Sequence, residues 1–195
     1  IKVLHDELRG MDFNDERFKL EALATGRLEH PNCVAITDIG ALDDGSSYMV
    51  MELLRGRSLA DLLEQEQLDH LDPVRALKIA RHVLKGLGHA HKAGVIHRDL
   101  KPENIFLVKN DEDENFAKIL DFGIAKVIDD AKGTGDAMSL TEAGMAIGSP
   151  SYMSPEQAMG EDLDGRTDLY SLGIVLYELI SGYSPFVHDD KLKLL

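Results

Sequence analysis

Apolar residues follow two rhythms along this chain, alternating in short runs near its start and recurring every three or four positions in longer runs further on. Ile1 to Leu4 reads as the tail of a strand. Asp15 to Leu28 reads as a helix with Phe18, Ala22 and Leu28 on one side, and His30-Pro31-Asn32 breaks it. Val34 to Leu42 and Ser47 to Leu53 read as two strands, joined by a hairpin turn at Asp43-Asp44-Gly45. Together these predict a small lobe built on an antiparallel sheet.

Gly56-Arg57-Ser58 ends that lobe. Ser58 is placed to cap a short helix, Leu59 to Glu64, with Asp61 at the reciprocal capping position. Pro73 then opens a long helix to about His91, with Leu77, Ala80, Leu84 and Leu87 as its apolar stripe and Gly94 beyond its end. Val95-Ile96, Ile105 to Val108 and Ala117 to Leu120 read as short strands. Asn110 to Asn115 is an acidic turn without the glycine and terminal glutamate of a calcium loop, and reads as solvated. Asp129 to Ala143 is polar and aperiodic, the pattern of a loop. Thr167 is placed to cap a final apolar helix ending at Ile180. The longest apolar stretch, Leu172 to Ile180, is too short to span a bilayer and contains Glu178.

Composition narrows the picture. The 195 residues suffice for one good-sized domain or two small lobes, and 44% hydrophobic residues support a packed core. A net charge of -14 disfavours binding to nucleic acid phosphates. The single cysteine, Cys33, has no intrachain partner, so a reducing compartment is expected. The expected location is the cytoplasm, either free or as the cytoplasmic part of a longer membrane-anchored protein. No signal peptide is visible, and Ile1 and Leu195 read as the ends of a fragment. A homodimer is left open.

The chemistry concentrates in His97-Arg98-Asp99-Leu100-Lys101-Pro102-Glu103-Asn104, followed closely by Asp121-Phe122-Gly123. A carboxylate such as Asp99 can take the proton of a hydroxyl nucleophile. Lys101 is a compact cation able to hold a transferring phosphoryl group. Asn104 and Asp121 offer the hard oxygen donors that Mg2+ or Mn2+ requires. His89 and His91, two apart on a helix, do not face one another and make no metal pair.

This ordered set resembles the catalytic loop and metal-binding motif of eukaryotic-type serine/threonine protein kinases, in the style of their bacterial members. Gly148-Ser149-Pro150-Ser151-Tyr152-Met153-Ser154-Pro155-Glu156 resembles the family's substrate-docking segment, with Ser154 in place of its usual alanine. Asp168-Leu169-Tyr170-Ser171-Leu172-Gly173 resembles its central large-lobe helix, and the string Asp-Leu-Lys-Pro-Glu-Asn at 99–104 is of serine/threonine rather than tyrosine type. The resemblance implies an α+β, bilobal fold, with a partial small lobe over 1–54 and a partial large lobe over 55–195. It implies ATP and a divalent cation as cofactors and serine or threonine hydroxyls of proteins as substrates. By the same resemblance Lys2 would hold the ATP phosphates and pair with Glu21. Met51 would stand beside the adenine, the backbone of Glu52 and Leu54 would bond its edge, and Phe106 would pack beneath it. His97 would pack in the core rather than act as a base. Thr141, with Ser139 second, would be the activating phosphosite, its phosphate pairing with Arg98.

Two family features are absent from the sequence. No Gly-x-Gly-x-x-Gly precedes Lys2, and no arginine follows in the place that would pair with Glu156. These 195 residues alone are therefore expected to turn over poorly. The competing expectation is a pseudokinase-like scaffold that binds without turnover. Intact Asp99, Asn104, Asp121, Lys2 and Glu21 favour the enzyme.

Overall fold

The structure, a computed structural model, describes residues 1–3, 26, 28–42, 47–66, 69–109, 113–122 and 150–187. The expected helix over 15–28, the hairpin turn at 43–45 and the loop over 129–143 lie wholly or largely outside the described residues. Ten labelled elements are used below: β1 (Lys2–Val3), β2 (Ile36–Ala41), β3 (Ser47–Met51), β4 (Gly56–Ser58), α1 (Leu59–Gln65), α2 (Pro73–Lys92), β5 (Ile105–Val108), β6 (Phe116–Ile119), α3 (Pro155–Ala158) and α4 (Arg166–Ser181).

Among the described residues the strands form two antiparallel sheets, ordered β1-β3-β2 and β4-β5-β6. In the first, Lys2 lies opposite Met49, and β2 runs against β3 with a bulge between Ile36 and Asp38. Val34 and Ala35 fall outside β2, because Val34 N–H donates to the carbonyl of Ile119 instead, 2.9 Å away. Leu53, read as the end of a strand, is 90% exposed beyond β3. The second sheet holds a strand that sequence pattern did not suggest. Gly56-Arg57-Ser58 pairs with β5 along Val108, Leu107 and Phe106 rather than merely closing the first lobe.

Capping chemistry behaves as expected at α1. Ser58 Oγ accepts from Asp61 N–H at 3.0 Å, and the Asp61 carboxylate accepts from Ser58 N–H at 3.2 Å. At α2, Asp72 is the cap that the sequence reading passed over, accepting from Arg75 N–H just before Pro73. The buried face of α2 is Ala76, Ile79, Ala80, His82, Val83, Gly86, Leu87 and Ala90. Leu77 and Leu84, read as core, point outward at 55% and 47% exposure. Ala80 and Leu87 of the expected stripe are buried, and the inner face is completed by Ala76, Ile79, His82, Val83, Gly86 and Ala90, so size alone did not mark it. Gly86 shows why: a methyl group there would lie 2.9 Å from the Asn32 carbonyl and 2.8 Å from Ile119 Cδ1.

That close approach lets residues 32–34 lock onto β6. Ile119 N–H donates to the Asn32 carbonyl at 2.9 Å, and Asn32 Nδ2 donates to the Ala117 carbonyl at 2.8 Å. The core beneath joins Cys33, Leu59, Leu62, Leu71, Ile79, Val83, Leu87, Leu100, Ile105, Ile119, Phe122, Val175 and Leu179. Burial pushes the Cys33 thiol up to about 11, so it packs as an unreactive small hydrophobe. Val95-Ile96 is not a strand; Val95 N–H closes the end of α2 on the Ala90 carbonyl. The described part of the acidic turn is engaged rather than simply solvated. Arg75 Nε donates to Asn115 Oδ1 at 2.7 Å, and Asp113 lies 3.7 Å from His82 Nε2.

At α4 the expected cap is also corrected. The helix starts at Arg166 behind Gly165, with no side-chain cap, and Thr167 lies within its first turn. The Thr167 hydroxyl is diverted to Glu156 Oε1, 2.8 Å away. Among the described residues no helix is long and apolar enough to cross a membrane.

Candidate active site

Three short elements converge here: the loop before β5, the residues after β6, and β1. Arg98 and Asp121 both adopt positive φ, 70° and 55°, which side chains other than glycine rarely take. Surrounding bonds hold both places. His97 is fully buried, as expected, and its Nε2 sits 2.7 Å from the Leu120 carbonyl. Its ring meets Phe122 edge-on with centroids 5.0 Å apart. Leu120 N–H donates to the Asn104 carbonyl at 2.9 Å. The loop before β5 and the Asp121 segment are therefore fixed to each other through His97, Asn104 and Phe122.

Within this frame Asp99 Oδ2 lies 3.0 Å from Lys101 Nζ and 3.3 Å from Asn104 Nδ2. Asn104 Nδ2 also donates to the Asp99 carbonyl at 2.7 Å. Pinning the amide nitrogen in this way turns the Asn104 amide oxygen away from Asp99. Asp121 Oδ2 is 2.8 Å from Lys2 Nζ, which leaves its second oxygen over. An amide oxygen and a carboxylate oxygen are hard donors that suit Mg2+ or Mn2+, so the residues present fit such an ion.

Lys2 thus meets Asp121; its expected partner Glu21 lies outside the described residues, as do Thr141 and Ser139. Met51, Glu52, Leu54 and Phe106 are each partly buried along the junction of the two sheets. Glu52 N–H is already spent on the Ala35 carbonyl at 2.9 Å, so its backbone carbonyl is the group that carries the adenine expectation. The Glu52 carboxylate has a further task not foreseen. It accepts from Lys118 Nζ at 2.6 Å and from Ala35 N–H at 2.8 Å, tying β3 to β6 across the sheets.

Glu156, expected to lack a partner, is half-buried and bonded by Thr167. A hydrogen bond from its own backbone N–H, then that from Thr167, holds its pKa below the ordinary value. Ser154, in the usual alanine's place, caps α3 with Gln157 in a reciprocal box and touches Thr167 Oγ1 at 3.1 Å. Gln157 Nε2 then donates to the Arg98 carbonyl at 2.7 Å, linking this segment to the loop before β5.

The residue whose role sequence reading missed is Asp168. It was visible only as part of a helix motif. Buried in the first turn of α4, it accepts from His97 N–H at 2.9 Å and Arg98 N–H at 2.8 Å, and from His91 Nε2 at 2.6 Å. Burial alone would raise its pKa; the His91 bond, the nearby His97 and the two backbone donors outweigh that and hold it low. Its ionised form therefore contributes stability in full above the ordinary carboxylate pKa, lost as pH falls through the depressed folded value. Asp168→Asn is expected to lower the urea midpoint at neutral pH, with the gap from wild type closing as pH falls through the carboxylate range. A gap that is independent of pH would contradict this.

A model of the protein kinase domain matches residues 1–194. The chain belongs to the protein kinase family. This kinase chain is 45% identical over 190 residues to serine/threonine-protein kinase pkn3 of Myxococcus xanthus, covering 97% of the chain and 34% of that protein. It is 40% identical over 193 residues to PknB of Mycolicibacterium smegmatis, covering 97% and 29%. Among solved structures, the PknI kinase domain of M. tuberculosis superimposes with a TM-score of 0.70 at 28% identity, covering 97% of this chain and 64% of that one. The α+β arrangement is that of the bilobal kinase fold. The chain spans about a third or less of the length of these two curated relatives.

Proposed function

We propose that this chain is the catalytic core of an ATP-dependent kinase that phosphorylates serine and threonine side chains of proteins. The observation that carries the reading is the bonded cluster of Asp99, Lys101 and Asn104, joined through Leu120 to the Asp121–Lys2 pair. Phosphoryl transfer asks a protein mainly for positioning and charge neutralisation, and this cluster supplies both.

In this mechanism Asp99 accepts the proton of the substrate hydroxyl as its oxygen bonds to the γ-phosphorus and the bridging P–O bond to ADP breaks. Lys101 and Asn104 both engage Oδ2, which leaves Oδ1 for that proton. Lys101 sets a positive charge beside the base, where the transferring group gathers negative charge. Lys2 holds the ATP phosphates. Asn104 and Asp121 hold the divalent cation, which when bound neutralises phosphate charge. Met51, the Glu52 and Leu54 backbone and Phe106 receive the adenine. The small and large lobes are assigned to 1–54 and 55–195, and the cytoplasm is the proposed location. The test is incubation of the full-length protein with labelled ATP, Mg2+ and a generic basic protein. Label on serine and threonine is expected; no transfer with Mg2+ or Mn2+ overturns the reading.

Thr141 is proposed as the main activating phosphosite, with Ser139 second. Arg98 offers the receptor. Its backbone is fixed by Asp168 and Gln157, while among the described residues no carboxylate pairs with its guanidinium. A phosphate there would add about −1.5 to −2 charge and pair with it. Phosphate on Thr141 is expected by mass spectrometry after incubation with ATP. Thr141→Ala is expected to lower activity about tenfold or more, the worth of one charge-assisted hydrogen bond. An unmodified Thr141, or full activity in the alanine variant, contradicts this.

A further inference from the structure

We infer that His30 and His89 form a pH-sensitive latch, which holds residues 30–34 against α2 and β6 while His30 is neutral and releases them when acid charges it. Its consequence for nucleotide binding rests on the kinase reading above; the latch itself does not. Its basis is a stacked pair of imidazoles. The ring of His30 lies over that of His89, in the last turn of α2, with centroids 5.2 Å apart and planes inclined by 27°. His30 Nδ1 also lies 3.1 Å from the backbone nitrogen of Asn32.

That second contact fixes the protonation state of the ring. A backbone N–H only donates, so His30 Nδ1 must accept, and the ring is neutral with its hydrogen on Nε2. The bond closes a turn in which Cys33 N–H meets the His30 carbonyl at 3.0 Å. From this turn Asn32 reaches β6 at Ala117 and Ile119, and Val34 N–H reaches the Ile119 carbonyl. β6 leads through Leu120 to Asp121, while Ala35 makes two bonds to Glu52, just beyond β3. The turn therefore stands between the sheet that carries Lys2 and the strand that leads to Asp121.

A proton on Nδ1 disrupts this arrangement twice. The ring would turn a donor toward the N–H of Asn32, and a bond would become a repulsion. It would also set a cation against His89, with Lys85 of α2 and Lys118 of β6 as further neighbours. No carboxylate on α2 offsets that charge, since Pro73–Lys92 contains neither aspartate nor glutamate. Glu52 is taken by Lys118 at 2.6 Å, and Glu29, next to His30 in sequence, is exposed. Burial first, then His89, Lys85 and Lys118, accordingly hold the His30 pKa below its ordinary value. The latch is at full strength above the ordinary histidine pKa of about 6.5 and weakens as pH falls from there toward the lowered value.

The experiment compares wild type, His30→Asn and His89→Phe in the full-length protein from about pH 7.5 to 5.5, one unit either side of the ordinary histidine value. It reads hydrogen exchange at the Asn32, Val34 and Ile119 amides, and the KM for ATP. An asparagine side-chain oxygen takes the same bond from the N–H two residues on and does not titrate. Ratios of wild type to His30→Asn at each pH therefore cancel the effects of acid on exchange chemistry and on ATP itself. One proton changes an equilibrium by at most about tenfold per pH unit, so the exchange ratio should rise about three- to tenfold across the range. The KM ratio should rise over the same interval. His89→Phe should keep the stack and shrink both rises, because a charged ring sits better over a benzene face than against a second imidazole. A ratio that stays flat in either measurement would overturn the inference, as would undiminished rises in His89→Phe. If His30→Asn does not fold, the comparison of His89→Phe with wild type decides. A wild type that transfers no phosphate would remove the kinase reading instead, and the exchange readout would still decide this one.

Discussion

Asp99→Asn is expected to remove most phosphate transfer while leaving nucleotide affinity nearly unchanged. The carboxylate sits one hydrogen bond from Lys101 and another from Asn104, and its backbone is held by His97. The amide of asparagine fills the same space, so the loop should keep its path. What it lacks is basicity: an amide does not take a proton from a hydroxyl near neutral pH. A positioned base is typically worth about 10²–10⁴-fold, or about 3–5 kcal/mol of barrier. The loss should fall on kcat, because none of the groups assigned to ATP is altered. Single-turnover measurement at saturating ATP, beside a nucleotide titration, separates the two quantities. Turnover at the wild-type rate would remove Asp99 from its proposed role.

The site was legible in the sequence to the extent that its groups lie close together along the chain. Asp99, Lys101 and Asn104 fall within six residues, and local geometry alone brings them into contact. The capping box at Ser58 and Asp61 and the start of α2 at Pro73 were legible for the same reason: each is a local backbone problem solved by a nearby side chain. What escaped depends on partners far apart in sequence. The Asp168 bonds to His91, His97 and Arg98 span 70 residues or more, and neither charge pattern nor periodicity encodes them. The strand at Gly56 to Ser58 exists because β5 lies alongside it, not because those residues favour extension. Thr167 illustrates competition between two readings of one hydroxyl. It had the chemistry of a cap, and a carboxylate brought in by α3 took it instead. Leu77 and Leu84 mark the converse error, where size stood in for burial and the inner face mixed alanine and glycine with Ile79, Val83 and Leu87.

Asp121→Asn is expected to abolish most of the gain in ATP affinity that Mg2+ confers. Asparagine tolerates left-handed backbone better than most residues, so the φ of 55° at this position should survive the change. The substitution therefore isolates the charge. Two things are lost together: a carboxylate oxygen offered to the cation, and the anion 2.8 Å from Lys2 Nζ. These act in opposite directions on the nucleotide. Without metal, Lys2 is freed of its carboxylate and a negative charge is gone from beside the phosphates, so metal-free ATP should bind as well as before or better. With Mg2+, the cation has lost an anionic ligand. Removing even an outer partner of a metal ligand costs 10–100-fold, so a deficit of about 100-fold in Mg2+-dependent affinity is the expected scale. The measurement is a pair of ATP titrations, one with Mg2+ and one with chelator, on wild type and variant. An unchanged ratio of the two affinities would show that Asp121 holds no cation.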